Sequence, residues 1–112
     1  MSTYRLSVGP GEEVMEKLQE LVGLSPVTHG SMTLIGAVHE CTVSVMRKDD
    51  AQNDLLRSYD QPFELTGTGE IVNGEVHVHV TLGGEDLVVA GHLHRAMVRN
   101  FFVHCYVTDL DD

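Results

Sequence analysis

Glu75-Val76-His77-Val78-His79-Val80-Thr81-Leu82, then Gly83-Gly84-Glu85-Asp86, then Leu87-Val88-Val89-Ala90-Gly91-His92-Leu93-His94 is the stretch from which this fold can be read. Its first segment alternates strictly, and a period of two is the side-chain period of a β-strand. His77 and His79 therefore share one face, and Val76, Val78 and Val80 share the other. The glycine-rich, acidic segment 83–86 reads as a tight reversal. With those four residues as the loop, Leu82 pairs with Leu87, His77 falls opposite His92, and His79 falls opposite Ala90. Directly opposed residues of an antiparallel ladder point to one face, and diagonal neighbours are about 7–8 Å apart. His77, His79 and His92 then project from one patch, which is how a protein assembles a three-histidine metal site. A single strand histidine is more often a solvated surface residue. The convergence of a set, rather than any one ring, points to a metal. A one-residue slip of register would turn His92 to the other face.

Working outward, Asn73-Gly74 is the strongest hairpin signal in the chain, joining Gly69–Val72 to Glu75–Leu82. Phe63-Glu64-Leu65-Thr66-Gly67 opens this half, and Ala96 to Val107 forms a final apolar run. Toward the N-terminus, Thr3 to Val8 reads as a strand with Tyr4, Leu6 and Val8 on one face. Gly9-Pro10-Gly11 breaks it. Glu12 and Glu13 then occupy the first turn of a helix, where the dipole favours negative charge. Val14, Leu18, Leu21 and Val22 give that helix an apolar stripe, and Gly23 ends it. Ser31 to Met46 is long and β-branched, interrupted at Gly36, where a bend or the close approach of another backbone is expected. His39 follows that bend and reads as a structural histidine. Arg47 to Asp60 is polar and reads as a loop with one helical turn near Leu55-Leu56. The sum is a single α+β domain over residues 1–112: a mostly antiparallel sheet with one main helix packed on it.

Composition narrows the function classes. The chain has 112 residues, too few for two domains, and 42% are hydrophobic, ordinary for a globular protein. Seventeen acidic residues against seven basic ones give a formal net charge of −10. Non-specific DNA binding needs Lys and Arg to displace condensed counterions, so direct contact with nucleic acid is not expected. Met1 to Glu13 lacks the apolar run of a secretory leader, and nothing approaches a membrane-spanning segment. Cys41 and Cys105 form no CxxC pair and read as thiols in a reducing cytoplasm.

Pro62-Phe63-Glu64-Leu65-Thr66-Gly67-Thr68-Gly69, Gly74-Glu75-Val76-His77-Val78-His79-Val80 and Gly91-His92-Leu93 together resemble the plants-and-prokaryotes-conserved (PPC) domain family. Arg5-Leu6 before Gly9-Pro10-Gly11-Glu12-Glu13, and the Ile35-Gly36-Ala37-Val38 bend, resemble its N-terminal pattern, so the resemblance covers nearly the whole chain. It implies an α+β domain that associates as a homotrimer. It also implies metal ligation by His77, His79 and His92 near subunit contacts. In plants the family's domain accompanies AT-hooks in nuclear DNA-binding proteins, and many prokaryotic members carry the DNA-binding label by that association. This chain departs from the pattern in three ways. It has no Arg-Gly-Arg-Pro hook, it has Val103 where a carboxylate is expected, and it has an added histidine at His94.

Three readings of function stand side by side. One is an enzyme acting on a small metabolite through Zn²⁺ or another divalent transition metal, with Glu64, His94 or His104 as acid–base groups and Arg95 to hold an anionic substrate. The second is a non-catalytic trimeric module that binds a metal or a small-molecule ligand. The third is a DNA-associated accessory protein whose basic surface comes from another molecule.

Overall fold

The computed structural model describes residues 2–112. Each alternating run becomes a strand, and the strands join in one sheet. In chain order the elements are β1 (Thr3–Val8), α1 (Val14–Gly23), β2 (Gly30–Val38), β3 (Glu40–Arg47) and β4 (Asp50–Tyr59). They continue with β5 (Phe63–Val72), β6 (Glu75–Gly83), β7 (Val88–Met97) and β8 (Val103–Asp109). The sheet has eight strands in the order β1-β8-β2-β5-β6-β7-β3-β4, and every neighbouring pair is antiparallel. This is the expected single α+β domain.

Period-two burial sorts the two faces. Val78, Val80 and Leu82 of β6 are buried, while His77, His79 and Thr81 between them are exposed. Met32 and Leu34 of β2, Phe63, Leu65 and Ile71 of β5, and Val103, Cys105 and Val107 of β8 extend the same inner face. Helix α1 covers it through Val14, Leu18 and Val22, which follow one another at a spacing of four. The helix packs on β7 and β6 and also on β1 at the far edge, so the sheet curls around it. Glu13 is the N-cap, and its carboxylate accepts the N–H groups of Met15 and Glu16 at 2.9 and 2.8 Å. It also accepts the Ala96 N–H of β7 at 2.8 Å, which ties the helix start to the sheet. No helix among the described residues is long and apolar enough to cross a membrane.

The Asn73-Gly74 hairpin forms as expected, with φ of 51° and 80° at its two central residues. Three other expectations are corrected. Ser31 to Met46 is not one strand: the chain divides at His39 into β2 and β3, and β5, β6 and β7 lie between the two halves. Gly36 is nonetheless the point of close approach, because a Cβ there would overlap the Phe102 carbonyl oxygen. The segment Arg47 to Asp60 is not a loop with a helical turn. It is the β3–β4 hairpin, and β4 is an edge strand exposed along most of its length. An edge strand with two solvated faces needs no apolar alternation, and its charges discourage pairing with another chain. The reversal keeps four residues but lies one position later, at 84–87, so Gly83 pairs with Val88, and Leu82 pairs with Val89 rather than Leu87. The register is thereby displaced by two positions.

Cys41 and Cys105 are free and buried. Burial raises both thiol pKa values, that of Cys105 to about 12. A thiol reacts through its thiolate. Iodoacetamide at pH 8 is therefore expected to leave both cysteines of the folded protein unmodified and to label both after denaturation. Intact-mass analysis reads this directly, and rapid native labelling of Cys105 would contradict the packing described here.

Candidate metal centre

Strands β6 and β7 present the histidines on the outer face, away from α1. His79 lies directly opposite His92, and His77 is the diagonal neighbour. The two-residue displacement exchanges the roles expected of His77 and His79. It keeps all three rings on one side, because a shift of two preserves strand parity. One nitrogen from each of the three rings can be chosen so that all lie within 4.8 Å of one another. His77 Nε2 and His92 Nδ1 are 3.0 Å apart. Neighbouring ligands of tetrahedral zinc, with Zn–N about 2.0–2.1 Å, are separated by about 3.3 Å. The set therefore fits a cation bound by imidazole. His77 and His79 are exposed and His92 is half-buried, which leaves the site open to solvent on its outer side.

Burial, and then the neighbouring rings, favour the neutral ligand form of His92. Its pKa is lowered, first by desolvation and then by the neighbouring rings of His94, His77 and His79; Asp54 opposes the shift. A neutral imidazole has a free lone pair for a metal.

His94 is brought to the edge of the cluster. Leu93 pairs with Val43 and Arg95 with Thr42, so His94 is the extra residue of a β-bulge in β7. Its ring centroid is 4.7 Å from that of His92, and its Nε2 is 2.8 Å from Ser44 Oγ of β3. The other acid–base and anion-binding candidates lie elsewhere. Glu64 pairs with Gly83, whereas His79 pairs with Thr68, four residues farther along β5. At about 3.3 Å per residue that is a separation of about 13 Å. Arg95, past the bulge, pairs with Glu40 at 3.0 Å and borders a groove shared with Glu13, Glu16 and Glu20 of the helix. His104 is on β8, stacked on Phe102.

Two carboxylates near the histidines escaped the sequence reading. Glu70 lies directly opposite His77 and, with Thr68, borders the same shallow recess as His77 and His79. The Asn73-Gly74 turn by itself specifies that pairing, so this signal was present in the sequence. Asp54, which acts on His92, lies on β4 and had no such signal.

The chain is similar in structure to a metal-containing protein of Archaeoglobus fulgidus, with a TM-score of 0.78 at 20% identity, covering 96% of this chain and 78% of that one. A candidate DNA-binding protein of Bacteroides thetaiotaomicron superimposes with a TM-score of 0.80 at 26% identity, covering 98% of this chain and 80% of that one. The α-acetolactate decarboxylase of Bacillus subtilis shares the fold at a TM-score of 0.62 and 12% identity, and this chain (96% covered) spans 52% of that enzyme. No curated protein gives a significant match. The family model of the Plants and Prokaryotes Conserved (PCC) domain matches residues 1–111. With that match over nearly its full length, the chain belongs to the Plants and Prokaryotes Conserved domain family.

Proposed function

We propose that the protein is a metal-dependent protein that acts on a small metabolite at the His77, His79 and His92 cluster, and that it assembles as a homotrimer. The convergence of three imidazole nitrogens within 4.8 Å on an open sheet face carries this reading. Zn²⁺ is the preferred metal because imidazole suits it, with other divalent transition metals following. Bound there, it would supply a Lewis acid with an open position, able to polarise a carbonyl or phosphoryl oxygen. The chain's own residues supply the remainder. Glu70, across the ladder from His77, is placed to hold that ring's orientation by accepting its free N–H. His94, anchored through Nε2 on Ser44 Oγ, would hold or move a proton at its other ring nitrogen. The metal-containing A. fulgidus structure supports the metal, and the B. subtilis decarboxylase supports only that such a fold accommodates enzymes. The two free, buried thiols fit a cytoplasmic location.

The alternative is a non-catalytic module in which the metal organises subunits. The exposure of His77 and His79 favours it, because rings at the surface of one subunit can complete their shell from another. A DNA-associated role would require a separate basic partner, given the net charge of −10. Metal analysis of the purified protein, together with its mass in solution, tests the reading. We expect one zinc per chain and a mass three times that of the chain. Metal-free protein that takes up no zinc on dialysis would remove the reading. Mobility-shift assays at low salt are expected to show no direct DNA complex.

A further inference from the structure

A second recess is separate from the histidine cluster. It is a cleft of about 530 Å³ at the end of the sheet where β2, β5 and β6 meet the segment 98–102. Its size falls within the range of about 300–1,000 Å³ typical of small-molecule sites. Its walls are apolar. Ile35, Phe101 and Phe102 line it and are 55%, 59% and 43% exposed, far more than an apolar side chain needs to be in a packed fold. Its base is built from small residues: Ala37 and Gly83 flank Glu64 on either side of the β5 ladder. A Cβ added at Gly83 would meet nothing within 4 Å, so the space beside Glu64 is open.

A carboxylate and one imidazole nitrogen in this apolar surface lack partners; the other nitrogen of that imidazole, His39 Nε2, meets Asn100 Nδ2 at 3.5 Å. The Glu64 carboxylate takes part in none of the ion pairs among the described residues. His39 also lines the cleft, is 8% exposed, and is stacked on Phe101 with rings 14° from parallel. Its Nδ1 is buried with no hydrogen-bond partner. A buried polar atom without a partner is rare and calls for an explanation. An unpaired carboxylate beside two aromatic side chains is the arrangement that recognises an organic cation, through charge and through the ring quadrupoles. The surplus of acidic over basic residues acts in the same direction.

We propose that this cleft, anchored by Glu64 and walled by Ile35, Phe101 and Phe102, binds a small organic cation: an ammonium group carried on an apolar body. The ammonium donates to the Glu64 carboxylate, and the apolar body covers the three exposed side chains. The site does not depend on what the histidine cluster binds.

The test is an amide-resolved NMR titration of the full chain with 2-phenylethylammonium, run beside its neutral isostere 2-phenylethanol and the anion 3-phenylpropanoate. The ammonium is expected to shift amides of residues 35–39, 62–66 and 101–102, to saturate in the millimolar range, and to leave those of His77, His79 and His92 in place. The alcohol and the anion should each bind at least about tenfold more weakly. Glu64→Gln should weaken the ammonium to the level of the alcohol, and Gly83→Leu should block all three probes while the rest of the spectrum stays folded. Equal binding of ammonium and alcohol, or an unchanged affinity in Glu64→Gln, would overturn the proposal. So would the absence of any shift at the cleft. In that last case, a fall in solution mass on introducing Ile35→Asp would identify a second copy of the chain as the occupant.

Discussion

His77→Ala is expected to lose at least about a hundredfold in zinc affinity while keeping its melting temperature in the metal-free state. The loss follows from the geometry. His77 Nε2 and His92 Nδ1 already stand 3.0 Å apart, so removing one ring leaves two donors and an open face. Structural sites use four protein ligands and catalytic ones three, and two imidazoles alone hold a metal weakly. The fold should survive because His77 is exposed; substitutions of that kind stay within about 0.5 kcal/mol. Isothermal titration with Zn²⁺ and a thermal melt read the two effects separately. Unchanged zinc stoichiometry in the variant would remove His77 from the site.

Gly36→Val is expected to cost about 3 kcal/mol or more, because it forces the backbone apart rather than filling space. A Cβ at position 36 would overlap the Phe102 carbonyl, which accepts the Ala37 N–H at 2.9 Å, and would press on Val103 Cα of β8. Neither neighbour is a flexible side-chain end. Relief therefore requires β2 and β8 to separate at Gly36↔Val103, a rung of their ladder. Gly23→Ala is the matched control, since nothing lies within 4 Å of a Cβ there. Urea denaturation of the two variants should show a large fall in midpoint for the first and almost none for the second. A loss below about 1 kcal/mol at position 36 would contradict the described approach of the two segments.

The strands most legible from sequence are those with one buried face. Val76, Val78 and Val80 alternate with His77, Thr81 and their neighbours because β6 has α1 beneath it and solvent above. The Asn73-Gly74 turn was legible for a different reason, since it needs two residues at positive φ. Strand β4 was not legible, because an edge with two solvated faces lacks the periodicity that marks a strand. The division of residues 31–46 at His39 was hidden for a related reason. Both halves are β-branched and apolar, and only tertiary contacts decide that they part company. The three histidines survived a one-residue error in the position of the loop because such an error moves the pairing by an even number of residues. A register displaced by two exchanges the neighbours of each ring but never its face. Glu64 and Arg95 stand on strands that pass near the cluster, but placing them required rung-by-rung pairing and knowledge of the bulge at His94.

X-ray absorption spectroscopy at the zinc edge, on protein loaded with one equivalent of Zn²⁺, reads the immediate surroundings of the cation. Three imidazole nitrogens at about 2.0–2.1 Å, reduced to two in His79→Ala, is the predicted result. A shell made only of oxygens, or one dominated by sulfur from Cys41 or Cys105, would contradict a centre built from His77, His79 and His92.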